Sequence, residues 1–167
     1  MRLLSILSII LLGCLFFFLG KEKINVKYYY EGPYQKEIQH GLEYWQTENF
    51  LFEKTNNQKE AYLNIFHVPL SQKTNSNWVA QYNHRSRAIL IYDRPETFNP
   101  KNLIGIVSHE AGHFLGLDHN DEPDSVMNIK TPYHTIPSSL DKQEAMNLLP
   151  ILFVKKIIDE KIFPKNI

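Results

Sequence analysis

Apolar and polar positions divide the chain into short strands and three helices. Ile24 to Tyr30 (INVKYYY) mixes β-branched and aromatic residues and predicts a first strand, broken by Gly32-Pro33. Tyr34, Ile38, Leu42 and Trp45 then recur at spacings of four, four and three, one stripe of an amphipathic helix. Further strands are expected at Phe50 to Lys54, Ala61 to Val68, Trp78 to Tyr82 and Arg87 to Tyr92, with a polar loop from Pro69 to Asn77. Asn99-Pro100 supplies a helix start, Asn as cap and Pro in the first turn. Leu103, Ile104, Val107, Ala111, Phe114 and Leu115 follow at helical spacing until Gly116 ends the run. A Pro- and Asp-rich loop reaches about Ser138, and Ser139 or Asp141 can cap a last helix through Leu149. This order predicts an α+β fold, a mixed twisted β-sheet of about five strands with helices packed on it.

The two ends read differently from this body, expected at residues 21–150. Residues 1–20 carry one charge, Arg2, before an apolar run from Leu3 to Leu19, the pattern of an export signal or N-terminal membrane anchor. Leu11-Leu12-Gly13-Cys14 also matches a lipobox, which would lipidate Cys14. All three readings place the domain outside the cytosol: secreted, periplasmic, or anchored to a membrane. Residues 151–167 combine apolar residues with Lys155, Lys156 and Lys161, and are expected to pack one face on the domain as a C-terminal tail, with a membrane-surface helix as the alternative.

Composition removes several function classes. The 18 basic and 18 acidic residues balance, which argues against a broad nucleic-acid footprint, since that needs a basic face. Hydrophobics at 43% and aromatics at 13% argue against disorder. Cys14 is the only cysteine, so the domain beyond the leader has no disulfide, thiolate metal ligand or thiol nucleophile. The expected state is a monomer.

The candidate chemistry lies in His109-Glu110-Ala-Gly-His113-Phe-Leu-Gly116-Leu-Asp-His119, followed by Met127. On a helix, His109 and His113 stand one turn apart and present both imidazoles from one face. Two such nitrogens fill two corners of a zinc tetrahedron, with bonds of about 2.0–2.1 Å. Glu110 is rotated by about 100° from His109, off the ligand line but beside the metal's open side. There a carboxylate takes a proton from water without becoming a ligand. Gly116 permits a left-handed turn that redirects the chain, so His119 can bring a third nitrogen. The fourth corner is left for water. A chance match to His-Glu-x-x-His-x-x-Gly-x-x-His in this composition is on the order of 10⁻⁵ to 10⁻⁴.

These residues resemble the metzincin zinc metalloproteases, and in detail their matrixin branch. The likeness rests on His-Glu-x-Gly-His-x-Leu-Gly-Leu-x-His from His109 to His119, on Pro123, and on Met127 eight residues past the last histidine. It is specific from Leu103 to Met127 and topological elsewhere. It implies a metzincin-like sheet with an active-site helix, a Met-turn and a C-terminal helix. It also implies one catalytic Zn²⁺ on His109, His113 and His119, Glu110 as general base, Gly116 at the turn and Met127 as a floor beneath the metal. Trp78 and Ala80 would lie on an edge strand along which a peptide pairs. Pro132-Tyr133 would wall the pocket for the residue after the cut, although they come later than the matrixin pattern has them. The His- and Asp-rich loop that holds a structural zinc in animal matrixins has no counterpart between His67 and His84.

The expected function is an exported zinc-dependent endopeptidase that attacks peptide bonds with a zinc-activated water and Glu110 as base. The alternatives are a catalytically silent zinc-binding interaction module on the same fold, and a zinc hydrolase of a non-peptide amide. Glu144 as a downstream third ligand is a rival arrangement, against which stands an ordinary charge on a helix surface.

Overall fold

Alternation along the first strand sets the layout. In β1 (Ile24–Tyr30), Ile24, Val26, Tyr28 and Tyr30 are buried, whereas Asn25 and Lys27 face solvent. One face of the sheet therefore carries the core and the other stays polar, an unusual division for a largely parallel sheet. The computed structural model describes residues 23–69, 78–130 and 136–161, of which 153–161 as backbone only. The strands are β1, β2 (Phe50–Lys54), β3 (Leu63–Val68), β4 (Ala80–Asn83) and β5 (Ala88–Tyr92). They lie in the order β2-β1-β3-β5-β4, all parallel except β4, which runs antiparallel to β5 at one edge. The predicted α+β class with a five-stranded mixed sheet is what forms.

Helices α1 (Gln35–Glu43) and α2 (Pro100–Phe114) pack on each other, and Ile38, Leu42, Leu103 and Val107 are fully buried. Trp45 lies two residues past the end of α1, not within it, because Tyr44 already caps the helix. Its buried indole donates to the carbonyl of Ser108 at 2.8 Å and ties α1's end to the middle of α2. Asn99 caps α2 by accepting from the Lys101 amide at 3.0 Å, with Pro100 in the first turn, as the sequence predicts.

Four boundaries differ from the sequence reading. Ala61 and Tyr62 precede β3, since a 3₁₀ turn at Gln58–Glu60 delays it. Arg87 stays outside β5 with a positive φ of 51°, which closes the β4–β5 hairpin. The edge strand starts at Ala80, leaving Trp78 before it. The last helix, α3 (Ser139–Lys161), continues past Leu149 and through Pro150, so 151–161 extend it rather than form a separate tail. Its cap is Ser138: the hydroxyl accepts from the Asp141 amide at 3.1 Å, and the Asp141 carboxylate accepts from the Ser138 amide at 2.8 Å. That is a reciprocal capping box, with Asp in the place of Glu. Leu152 still packs on the core. The apolar leader falls outside the described residues, among which no helix is long and apolar enough to cross a membrane.

Candidate metal centre and active site

Helix α2 ends in a way that its sequence dictates. Gly116, with φ of 99°, follows the capping Leu115. The Leu117 amide bonds back to the Gly112 carbonyl at 3.0 Å and the Gly116 amide to that of His113 at 3.1 Å. This is a Schellman termination, which a glycine in the left-handed region allows. It aims the Leu117 carbonyl back at the helix, where it accepts from His113 Nδ1 at 2.8 Å. His109 Nδ1 donates to the Val126 carbonyl at 2.7 Å. With both Nδ1 protons committed, the lone pairs of these two rings sit on Nε2.

Those Nε2 atoms converge with that of His119, at 3.1 Å from His109 and 3.0 Å from His113. Nitrogens at tetrahedral corners of a metal with bonds of about 2.05 Å stand roughly 3.3 Å apart. Burial is the main cause that pulls His109 down to about 4 and lowers His113, and the neighbouring histidines add to it. Uncharged lone pairs this close repel, and a cation among them removes the repulsion. The donor set therefore fits zinc, and among the described residues it is the one His, Cys or carboxylate cluster close enough to hold a metal.

Met127 is fully buried and lies against α2. A Cβ on Gly112 would come within 2.3 Å of its sulfur and 3.1 Å of the Trp45 ring, so the glycine between the two helix histidines lets the methionine lie against α2. Asp141 holds the turn that carries it. Fully buried, its carboxylate accepts from the Ser125 hydroxyl, the Val126 amide at 3.0 Å and the Ser138 amide at 2.8 Å. Ser125 Oγ in turn accepts from the Met127 amide at 2.9 Å. The chain from Asp141 through Val126 thus reaches His109. Neither Gly112 nor this role of Asp141 was read from the sequence; the legible signal was the Ser138-x-x-Asp141 spacing of a capping box.

Glu110 is buried, 7% exposed, and points from α2 to the sheet edge. Its Oε2 accepts from the Tyr82 amide at 2.6 Å. Burial pushes its carboxyl up to about 7, against the lowering pull of that amide. The Tyr92 amide bonds to the Val79 carbonyl, and the antiparallel pattern then alternates. Ala80 and Tyr82 turn their N–H and C=O groups to the open edge, beside the three imidazoles.

Other residues singled out from the sequence are placed as follows. Ala80 is buried on β4, while Trp78 is 54% exposed and its carbonyl accepts from Arg94 Nε at 2.9 Å. Pro132, Tyr133 and His134 lie outside the described residues. His40 and His84 are exposed, and His67 contacts Asp93 at 3.2 Å. Glu144 is an exposed helix charge.

Sheet, helix and site together define a metalloprotease-type centre, in which one helix and the turn after it bring three nitrogen donors together beside an acid. The family profile described as Matrixin, of the M10 peptidases, matches residues 24–147, and the chain belongs to that family, whose members bind zinc. No curated protein matches the chain closely enough to count as a relative.

Proposed function

We propose that this chain is an exported zinc-dependent endopeptidase, with His109, His113 and His119 as ligands and Glu110 as general base. The observation that carries the proposal is the convergence of three Nε2 atoms, two of them oriented through Nδ1, beside a buried carboxylate at the open edge of a sheet. Bound zinc would supply a Lewis acid that polarises a carbonyl and acidifies water.

The chain's own groups do the rest. Ala80 offers its backbone donor and acceptor, and Tyr82 its carbonyl, to an extended polypeptide, which adds a strand beside β4. The Tyr82 amide steadies Glu110 Oε2 and leaves Oε1 for the proton. A carboxyl near 7 is matched to proton transfer at neutral pH. Glu110 takes a proton from water as the water oxygen bonds to the scissile carbonyl carbon. It then delivers that proton to the leaving nitrogen as the C–N bond breaks. Met127 and Gly112 set the floor against which the ligand helix rests. The apolar segment from Leu3 to Leu19 supports export.

The test is digestion of a mixed peptide library by wild type and Glu110→Gln, both loaded with zinc and checked by metal analysis. Wild type is expected to cleave, and the variant to lose at least a hundredfold in kcat. Equal, negligible turnover by both would refute the endopeptidase and leave the silent zinc-binding module. Turnover of amide compounds with no peptide products would point to the non-peptide hydrolase.

A further inference from the structure

A cavity of about 170 Å³ opens next to His113, between the β4–β5 turn, the end of α2 and helix α3. Its inner wall is aromatic. Tyr82 and Tyr62 stand edge-on to Phe114, with ring centroids at 5.8 and 6.2 Å. The opposite wall is aliphatic, made of Leu115 and of Leu148 and Leu152 from α3. Ile151, 64% exposed, stands at the mouth. The hairpin side is polar: His84, edge-on to Tyr82 at 4.6 Å, and Arg87, whose guanidinium lies 4.2 Å from the centre of the Tyr62 ring. An apolar cavity of roughly 150 Å³ is enough to bind benzene.

The cavity is continuous with the edge where a peptide would pair. Tyr82 turns its carbonyl to that open edge, its amide being held by Glu110, while its ring lines the cavity. In a paired strand, the residue directly opposite Tyr82 has its side chain on the same face as the Tyr82 ring. It is therefore carried to the cavity's mouth, one side chain away from the ligand His113.

We propose that this cavity is a specificity subsite, which takes a phenyl-sized apolar side chain, Phe or Leu, from the one substrate residue that pairs opposite Tyr82. The inference rests on the peptidase reading above and adds what that reading leaves open, the side chain selected away from the metal. Its selectivity comes from α3, so the helix turn after Pro150 is part of the substrate cleft rather than only a support.

The experiment uses the zinc-loaded full-length protein and peptides that vary one position at a time among Phe, Leu and Ala. One position, at a fixed distance from the cut, is expected to favour Phe and Leu over Ala by about tenfold or more in kcat/KM. Ile151→Trp, an exposed position that leaves the core untouched, should close the mouth and cut the Phe-to-Ala ratio at that position at least tenfold. Fluorescence polarisation with zinc-loaded Glu110→Gln gives a readout without turnover, and the same ranking should appear in Kd. Cleavage with no such position, or a ratio unmoved by Ile151→Trp, overturns the subsite while the peptidase stands. Ranked binding that Ile151→Trp abolishes, with no cleavage by wild type, overturns the peptidase and keeps the cavity as a side-chain binding site. Neither cleavage nor ranked binding overturns both.

Discussion

Asp141 is the residue through which a helix cap, the Met127 turn and a metal ligand are joined, and Asp141→Ala tests whether they are coupled. The substitution takes the acceptor away from two backbone amides, Val126 and Ser138, and from the Ser125 hydroxyl, all around a fully buried carboxylate. Leaving a buried donor unsatisfied costs about 1–3 kcal/mol. The Ser138 bond is only part-buried and its amide can turn to water, so the buried Val126 amide dominates, and a loss of about 2–3 kcal/mol is expected. Against a total of about 5–15 kcal/mol, that is a large share. At roughly 3 °C per kcal/mol for a domain of this size, Tm should fall by about 6–9 °C. The second effect is on the metal. The Val126 carbonyl orients His109 through a 2.7 Å bond, and loss of such an outer partner typically costs about 10- to 100-fold in affinity. Urea unfolding of chelated protein measures the first effect, and a chelator competition for zinc measures the second. Asp141→Asn, which keeps one acceptor, should fall between wild type and Ala in both. A loss below about 1 kcal/mol would refute the satisfaction argument. Full destabilisation with unchanged zinc affinity would refute the coupling from Asp141 to His109.

Three further outcomes follow from the same geometry. In metal-free protein, Glu110 sits at about 7 when folded against an ordinary 4.5, so the folded state holds its proton more tightly and stability is lost as pH rises through that window, by about 3 kcal/mol in all. His109, at about 4 against 6.5, acts in the opposite sense: its contribution is present above 6.5 and is lost as pH falls to 4. His113, also lowered, acts in the same sense as His109, and Glu110 offsets part of their loss in wild type. Urea titrations of chelated protein should therefore show Glu110→Gln losing about 3 kcal/mol more than wild type from pH 7 to 4; parallel curves for the two proteins would contradict this. Gly112→Ala, whose Cβ would meet the Met127 sulfur at 2.3 Å, should cost about 1–3 kcal/mol by overpacking, and differential scanning calorimetry that shows no loss would disprove the close contact. Zinc at about a thousandfold over its Kd should stabilise wild type by about 4 kcal/mol, seen as a Tm shift that EDTA reverses and that His113→Ala largely abolishes.

The legible part of the site was the part written locally. His109, Glu110, His113, Gly116 and His119 lie on one helix and the turn that ends it, so 3.6-residue periodicity and one glycine already say which groups share a face. The five strands were legible from short β-branched and aromatic runs, and their errors fall at ends, where a 3₁₀ turn or a positive φ takes over from strand pairing. The long last helix was not, because Pro150 reads as a stop although the helix continues through it.

Sequence alone determined the order of elements, the amphipathic faces and the motif, because each depends on backbone periodicity and on what single residues such as Asn99, Pro100 and Gly116 permit. Only the tertiary structure decided that β4 runs antiparallel to β5, that the Tyr82 amide holds Glu110, and that Asp141 reaches His109 by way of Val126. Those partners are 28, 15 and 17 residues apart, and no periodicity links them. They meet because burying the apolar face of the sheet against α1 and α2 brings polar groups to the same edge, where each must find a partner as water leaves.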